Sequence, residues 1–144
     1  MLPHTPVVNK AFSERGDYGV IKWDVLNVAN LERIAIVFES MSSSWRQGVW
    51  LSTDEGIIIN GQLCSSAVLW FDTAPKEVDV ICRTKNGRLH IYNVWDRGLG
   101  KNSQSLTSGM RVEEFFGGRR YRCNDIGFDS TFDKLVFSLI RKPN

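Results

Sequence analysis

"RTKNGRLHIYNVWD" (83–96) is the stretch whose reading decides the fold. It follows "EVDVIC" (77–82), and the two apolar-rich runs flank Asn86-Gly87. Alternation with a period of two is the pattern of a strand with one buried face. Asn-Gly accepts positive φ at both central positions, so the spacing predicts a two-residue type I′ turn and a β-hairpin. Such a turn fixes register. Lys85 then faces Arg88, Thr84 faces Leu89, Arg83 faces His90 and Cys82 faces Ile91. One face carries Val78, Val80, Cys82, Leu89, Ile91 and Trp95, with Asn93 the one polar member, and reads as core. The other carries Asp79, Ile81, Arg83, His90, Tyr92 and Val94. That mixture of rings, charges and aliphatics predicts a surface that is half-solvated or lines a groove.

Outward from this hairpin the same pattern recurs. "YGVIKWDV" (18–25), "RIAIVFES" (33–40), "QGVWLS" (47–52), "GIIIN" (56–60), "AVLWFD" (67–72) and "LVFSLIR" (135–141) read as strands. "TDEG" and "NGQ" are turn signals between the middle three. A second hairpin is expected around Gly117-Gly118, with Met110, Val112, Tyr121 and Cys123 inward. Arg111, Glu113, Arg120 and Arg122 would point outward, with Glu113 directly opposite Arg122. Glu114 lands on the inward face beside Tyr121, where it must sit at the rim or be hydrogen-bonded. Nine or ten short strands and no long helix indicate an all-β domain. An antiparallel β-sandwich of jelly-roll type is the first expectation and a closed β-barrel the second. Residues 1–144 read as one β domain, with 1–12, which hold Pro3 and Pro6, as an extended arm or edge strand.

Composition narrows the function classes. The net charge is +2, too small for the concentrated basic footprint that nucleic acid requires. The longest apolar runs, such as "AVLWF", cannot span a bilayer, and the N-terminus lacks the features of a signal peptide. No nucleic-acid partner, no membrane partner and a cytoplasmic location are therefore the expectations. Cys64, Cys82 and Cys123 are odd in number and widely spaced, without a CxxC pair, so three reduced thiols are expected and no zinc site.

Candidate chemistry is sparse. A Cys123–His90 nucleophile pair would need the sulfur and imidazole within hydrogen-bond reach, but the two fall on different kinds of face. Asp125, Asp129 and Asp133 are spaced four apart, yet match no calcium loop, and turn-forming duty is preferred for them. No cofactor and no metal are expected. Binding remains. Arg83, His90, Tyr92 and Asp79 offer a flat ring, donors and an acceptor, a mixture suited to sugars. Trp45, in "MSSSWRQG" (41–48), is a second candidate, while Trp23, Trp50, Trp70 and Trp95 are assigned to the core. A β-sandwich with loop aromatics resembles carbohydrate-binding modules at the level of fold, which by itself does not imply function.

The leading expectation is a non-catalytic binding domain for a carbohydrate or other small polar ligand. Its residues would be His90, Tyr92, Arg83, Asp79 and Trp45. Two alternatives come from other classes. One is a small hydrolase using His90 with Asp79 or Asp96. The other is a protein-interaction module of immunity or adaptor type, using the Arg111/Glu113/Arg120/Arg122 face.

Overall fold

The structure is a computed structural model and describes residues 2–103, 105, 107–128 and 130–143. Eleven strands follow in chain order: β1 (Val7–Val8), β2 (Val20–Asn27), β3 (Glu32–Met41), β4 (Arg46–Ile59), β5 (Gln62–Trp70), β6 (Glu77–Cys82), β7 (Arg88–Asp96), β8 (Lys101–Asn102), β9 (Gly109–Phe115), β10 (Gly118–Asn124) and β11 (Leu135–Arg141). One short helix, α1 (Lys10–Glu14), follows β1. All strand pairings are antiparallel.

The fold is a closed barrel, the second of the two all-β architectures expected, and not a sandwich. Its path runs β2-β9-β10-β11-β3-β6-β4-β7, and β7 pairs back onto β2. Eight strands thereby close on themselves, while β1, β5 and β8 hang on the outside of β2, β4 and β7. Closure removes the unpaired edges that an open sheet exposes. At this strand number side chains fill the interior. Ile34 and Ile36 of β3, Val49 and Leu51 of β4, and Leu89 and Ile91 of β7 are fully buried, joined by Phe137 of β11, whose ring stacks on Tyr121 at 4.8 Å. A smaller apolar cluster lies beside the barrel. There Phe12 of α1 meets Phe132 and Phe128, and Asn9 caps the helix by accepting from the Ala11 amide.

The expected Asn86-Gly87 hairpin does not form. β4 lies between β6 and β7, pairing Ile57 and Ile58 with Cys82 and Ile81, and Arg46–Thr53 with β7. Cys82 therefore does not face Ile91, nor Arg83 His90. The physical reason is a tertiary acceptor. The Asp54 carboxylate accepts from Thr84 Oγ1 at 2.6 Å and from the Lys85 and Asn86 amides at 3.1 Å, which folds the loop around it. Desolvation pushes the Asp54 carboxyl up, but the Thr84, Lys85 and Asn86 hydrogen bonds outweigh it and hold its pKa below the ordinary value. Gly87 takes φ +77°, but Asn86 is not among the positive-φ residues, so a type I′ turn is absent. The other Asn-Gly pair makes that turn. Asn60 (φ +52°) and Gly61 (φ +75°) close the β4–β5 hairpin, with Ile59 opposite Gln62.

The segment read as two strands around "TDEG" is the single strand β4, interrupted by a bulge. Four residues of β4 (53–56) oppose one of β5 (65). Gly56 sits there at φ +99°, and a Cβ would lie 2.8 Å from the Cys64 carbonyl. The second hairpin forms, with its turn at Phe116-Gly117. Arg120 rather than Arg122 is opposite Glu113, a slip of two residues. A slip of two preserves the faces: Met110, Tyr121 and Cys123 are buried, and Arg120 and Arg122 pair with Glu113 outside. Glu114 sits at the exposed rim and holds Arg119 at 3.0 Å.

Candidate functional site

The bulge bends the β4–β5 hairpin. In a straight hairpin the eight residue steps from Gln62 to Trp70 would span roughly 26 Å. Here Asn60 at the tip and Trp70 at the far end line one cleft, which Glu77, Val78 and Asp79 at the start of β6 complete. Its volume is about 310 Å³, at the lower end of the range for ligand sites. Ile59, Val68, Leu69, Ala74 and Pro75 supply apolar wall. Asn60, Thr73, Glu77 and Asp79 supply the hydrogen-bonding groups.

Trp70 forms a fixed wall. Its ring crosses the backbone of Gly48, where a Cβ would come within 2.8 Å of it. The Arg46 guanidinium sits 4.4 Å from the ring centroid and is itself held by Asp72 at 2.8 Å. Glu77 and Asp79 are two apart on β6, so both point to the outer face. Lys142 Nζ lies 3.2 Å from Glu77 and 4.0 Å from Asp79, which offsets part of their mutual repulsion. The cleft thus pairs an apolar floor with two carboxylates, an amide and a hydroxyl, a set that can seat a ring and receive hydroxyl protons.

Of the residues singled out from sequence, the structure places only Asp79 in this cleft. Arg83 is exposed in the loop after β6, with its amide bonded to the Gly56 carbonyl. His90 and Tyr92 share the outer face of β7, but they are 2% and 8% exposed. They are covered by an aromatic cluster. Trp50 stacks on Tyr92 at 4.4 Å, Trp23 tilts against Tyr92 at 4.9 Å, and Trp23 Nε1 donates to His90 Nδ1 at 2.9 Å. Burial raises the Tyr92 hydroxyl, opposed by a hydrogen bond with Ser103. The four-residue constellation read from the hairpin is therefore divided by β4.

Trp45 is half-buried and lines a separate hollow of about 190 Å³ with Ser43, Ser44, Asp125 and Lys134. Asp125 there accepts from Ser43 Oγ, Gln47 Nε2 and the Ile126 amide, so its oxygens serve neutral donors. Asp133 accepts from Thr131 Oγ1, and Asp129 lies outside the described residues. Among the described residues no group of three or more His, Cys, Asp or Glu side chains could hold a metal ion.

Sequence reading missed Trp70, Asn60, Thr73 and Glu77. A signal for Glu77 was present, since "EVDV" puts it on the face of Asp79. Trp23, Trp50 and Trp70, assigned to the core, are half-buried on the outer wall, and only Trp95 among the strand tryptophans is buried. Comparison with protein-family models, curated proteins and solved structures finds no match to this chain.

Proposed function

We propose that the protein is a non-catalytic binding domain for a carbohydrate or a similarly small, hydroxyl-rich ligand, seated in the cleft between β5 and β6. The observation that carries this reading is the cleft's lining: apolar wall and the Trp70 ring beside the acceptors Glu77, Asp79 and Asn60. A sugar presents an apolar ring face and several hydroxyl donors, and both find partners there. Binding is preferred to hydrolysis because the groups a hydrolase would need stand apart. His90 is buried with Nδ1 occupied by Trp23, and β4 separates it from Asp79.

The test is a titration of ¹⁵N-labelled protein with neutral mono- and oligosaccharides to tens of millimolar. The reading expects shifts at the Trp70 indole N–H and the Asn60 side-chain amide. It also expects Asp79→Ala to weaken binding at unchanged melting temperature, because that side chain is solvated. Shifts confined to the Trp45 hollow would move the site, and no shift with any sugar would remove the reading.

A further inference from the structure

Three turns meet at one end of the barrel: residues 28–31, 83–87 and 116–117. Arg141 ties two of them together. Its amide donates to the Gly117 carbonyl at 2.8 Å, and its guanidinium donates to the Asn27 carbonyl and the Glu32 carboxylate. The third is joined by Leu31 N to Cys82 O and Val28 N to Gly87 O. Phe116 stands at the hairpin tip with its ring wholly in solvent, and Leu31 is 54% exposed. Leu31 also holds φ +68°, a conformation that a bulky side chain with no polar group adopts at a cost. Strain and apolar exposure thus coincide at Leu31, where the surrounding turns hold the backbone in that conformation.

The same end carries free cations. Residues 27–33, 53–56, 83–88, 114–119 and 141–142 hold seven basic and four acidic side chains, but Arg119 and Lys142 are paired with Asp24, Glu77 and Asp79 from outside these segments, so the unpaired arginines are what set the surface apart. Among the described residues Arg33, Arg83 and Arg88 take part in no ion pair.

From this geometry we infer that the three-turn end docks on an anionic membrane surface, with Phe116 and Leu31 entering the interface and Arg33, Arg83 and Arg88 meeting lipid headgroups. A bilayer suits such a surface better than a folded partner does. It receives isolated apolar tips without a complementary pocket, and long basic side chains reach its headgroups from the flank. The expectation of no membrane partner rested on the lack of a spanning segment, which peripheral contact does not need. Nothing here depends on a ligand in the cleft.

Co-sedimentation with vesicles tests the proposal, using phosphatidylcholine alone and phosphatidylcholine with about one-third phosphatidylserine. The full chain is expected to pellet with the anionic vesicles at low salt, to be released at high salt and to ignore the neutral ones. Phe116→Ser, and separately Arg83→Glu with Arg88→Glu, should each cut bound protein several-fold with unchanged circular dichroism. No pelleting with anionic vesicles would overturn the proposal. So would binding that neither variant alters, or equal binding to neutral vesicles.

Discussion

Trp23 Nε1 donates to His90 Nδ1 across 2.9 Å, linking neighbouring strands on the outer wall of the barrel. The bond requires an unprotonated Nδ1. Burial first, then the charge of Arg88, lowers the His90 pKa from its ordinary 6.5; Asp54 opposes this and His4 adds to it. A base whose folded pKa is depressed leaves stability whole above its unfolded value. Stability then falls as pH drops from about 6.5 through the lower folded value. Denaturant melts between pH 7.5 and 5 should therefore lose stability in the wild type. His90→Asn, whose amide oxygen can replace Nδ1 as acceptor, should flatten that dependence. An unchanged slope would separate the histidine from the acid response.

Asp24, 1% exposed, is held inside the barrel by Tyr121, whose hydroxyl donates at 2.6 Å, and by Arg119 at 2.9 Å. Desolvation and then the Asp24 charge push the Tyr121 pKa well up. Tyr121→Phe removes one bond to a charged acceptor and should cost ~1.5–3 kcal/mol. Arg119→Met leaves a buried carboxylate without its cation and should cost ~3 kcal/mol or more. Asp24→Asn combined with Arg119→Met should recover part of that loss. A double-mutant cycle with no coupling would count against the pair.

Gly61 and Gly87 both hold positive φ in turns of different kinds. Alanine at either should cost ~1–2 kcal/mol from backbone strain. At Gly87 a Cβ would also approach the Val28 carbonyl to 3.4 Å, whereas Gly61 has open space around it. That distance is an ordinary van der Waals contact, so the two substitutions should cost about the same in thermal melts, and a much larger loss at Gly87 would mean the 83–87 loop cannot give way.

The three cysteines are free thiols, but unequal ones. Burial, aided by the Glu32 charge, pushes the Cys82 thiol up to about 12, and burial alone raises Cys123 well above the ordinary range. Only Cys64 is part-exposed. A colorimetric thiol reagent at pH 8 should titrate one group in the native protein and all three in denaturant. Fast reaction of two native thiols would indicate that the barrel opens.

How much of this was legible in the sequence differs by level. Inward and outward faces could be read, because alternation is local: Val78, Val80, Cys82, Leu89, Ile91 and Trp95 are all buried as expected. Partner choice could not. Asn60-Gly61 and Asn86-Gly87 are the same dipeptide, and what separates them is Asp54, a carboxylate some thirty residues from the second pair. The burial of His90 and Tyr92 was hidden for a similar reason. A strand covered on its outer wall by Trp23 and Trp50 looks, in its own residues, like a half-exposed one. The cleft needed the bulge at 53–56, and "TDEG" signals a turn without saying that the strand resumes.

β11 is inserted between β10 and β3, so its seven residues complete a wall whose other members all precede it. A nascent chain that has emerged only as far as Asn124 presents two raw edges, one on each side of the missing strand. Sealing the seam brings Leu139 beside Ile36 over about a hundred intervening residues, a separation that makes folding slow. During that interval the unpaired edges of β10 and β3 can accept strands from other molecules. Synthesis is thus a step at which the chain is open to aggregation. Substitutions that weaken β11 should lower soluble yield in cells by more than they lower the melting temperature of the protein that survives.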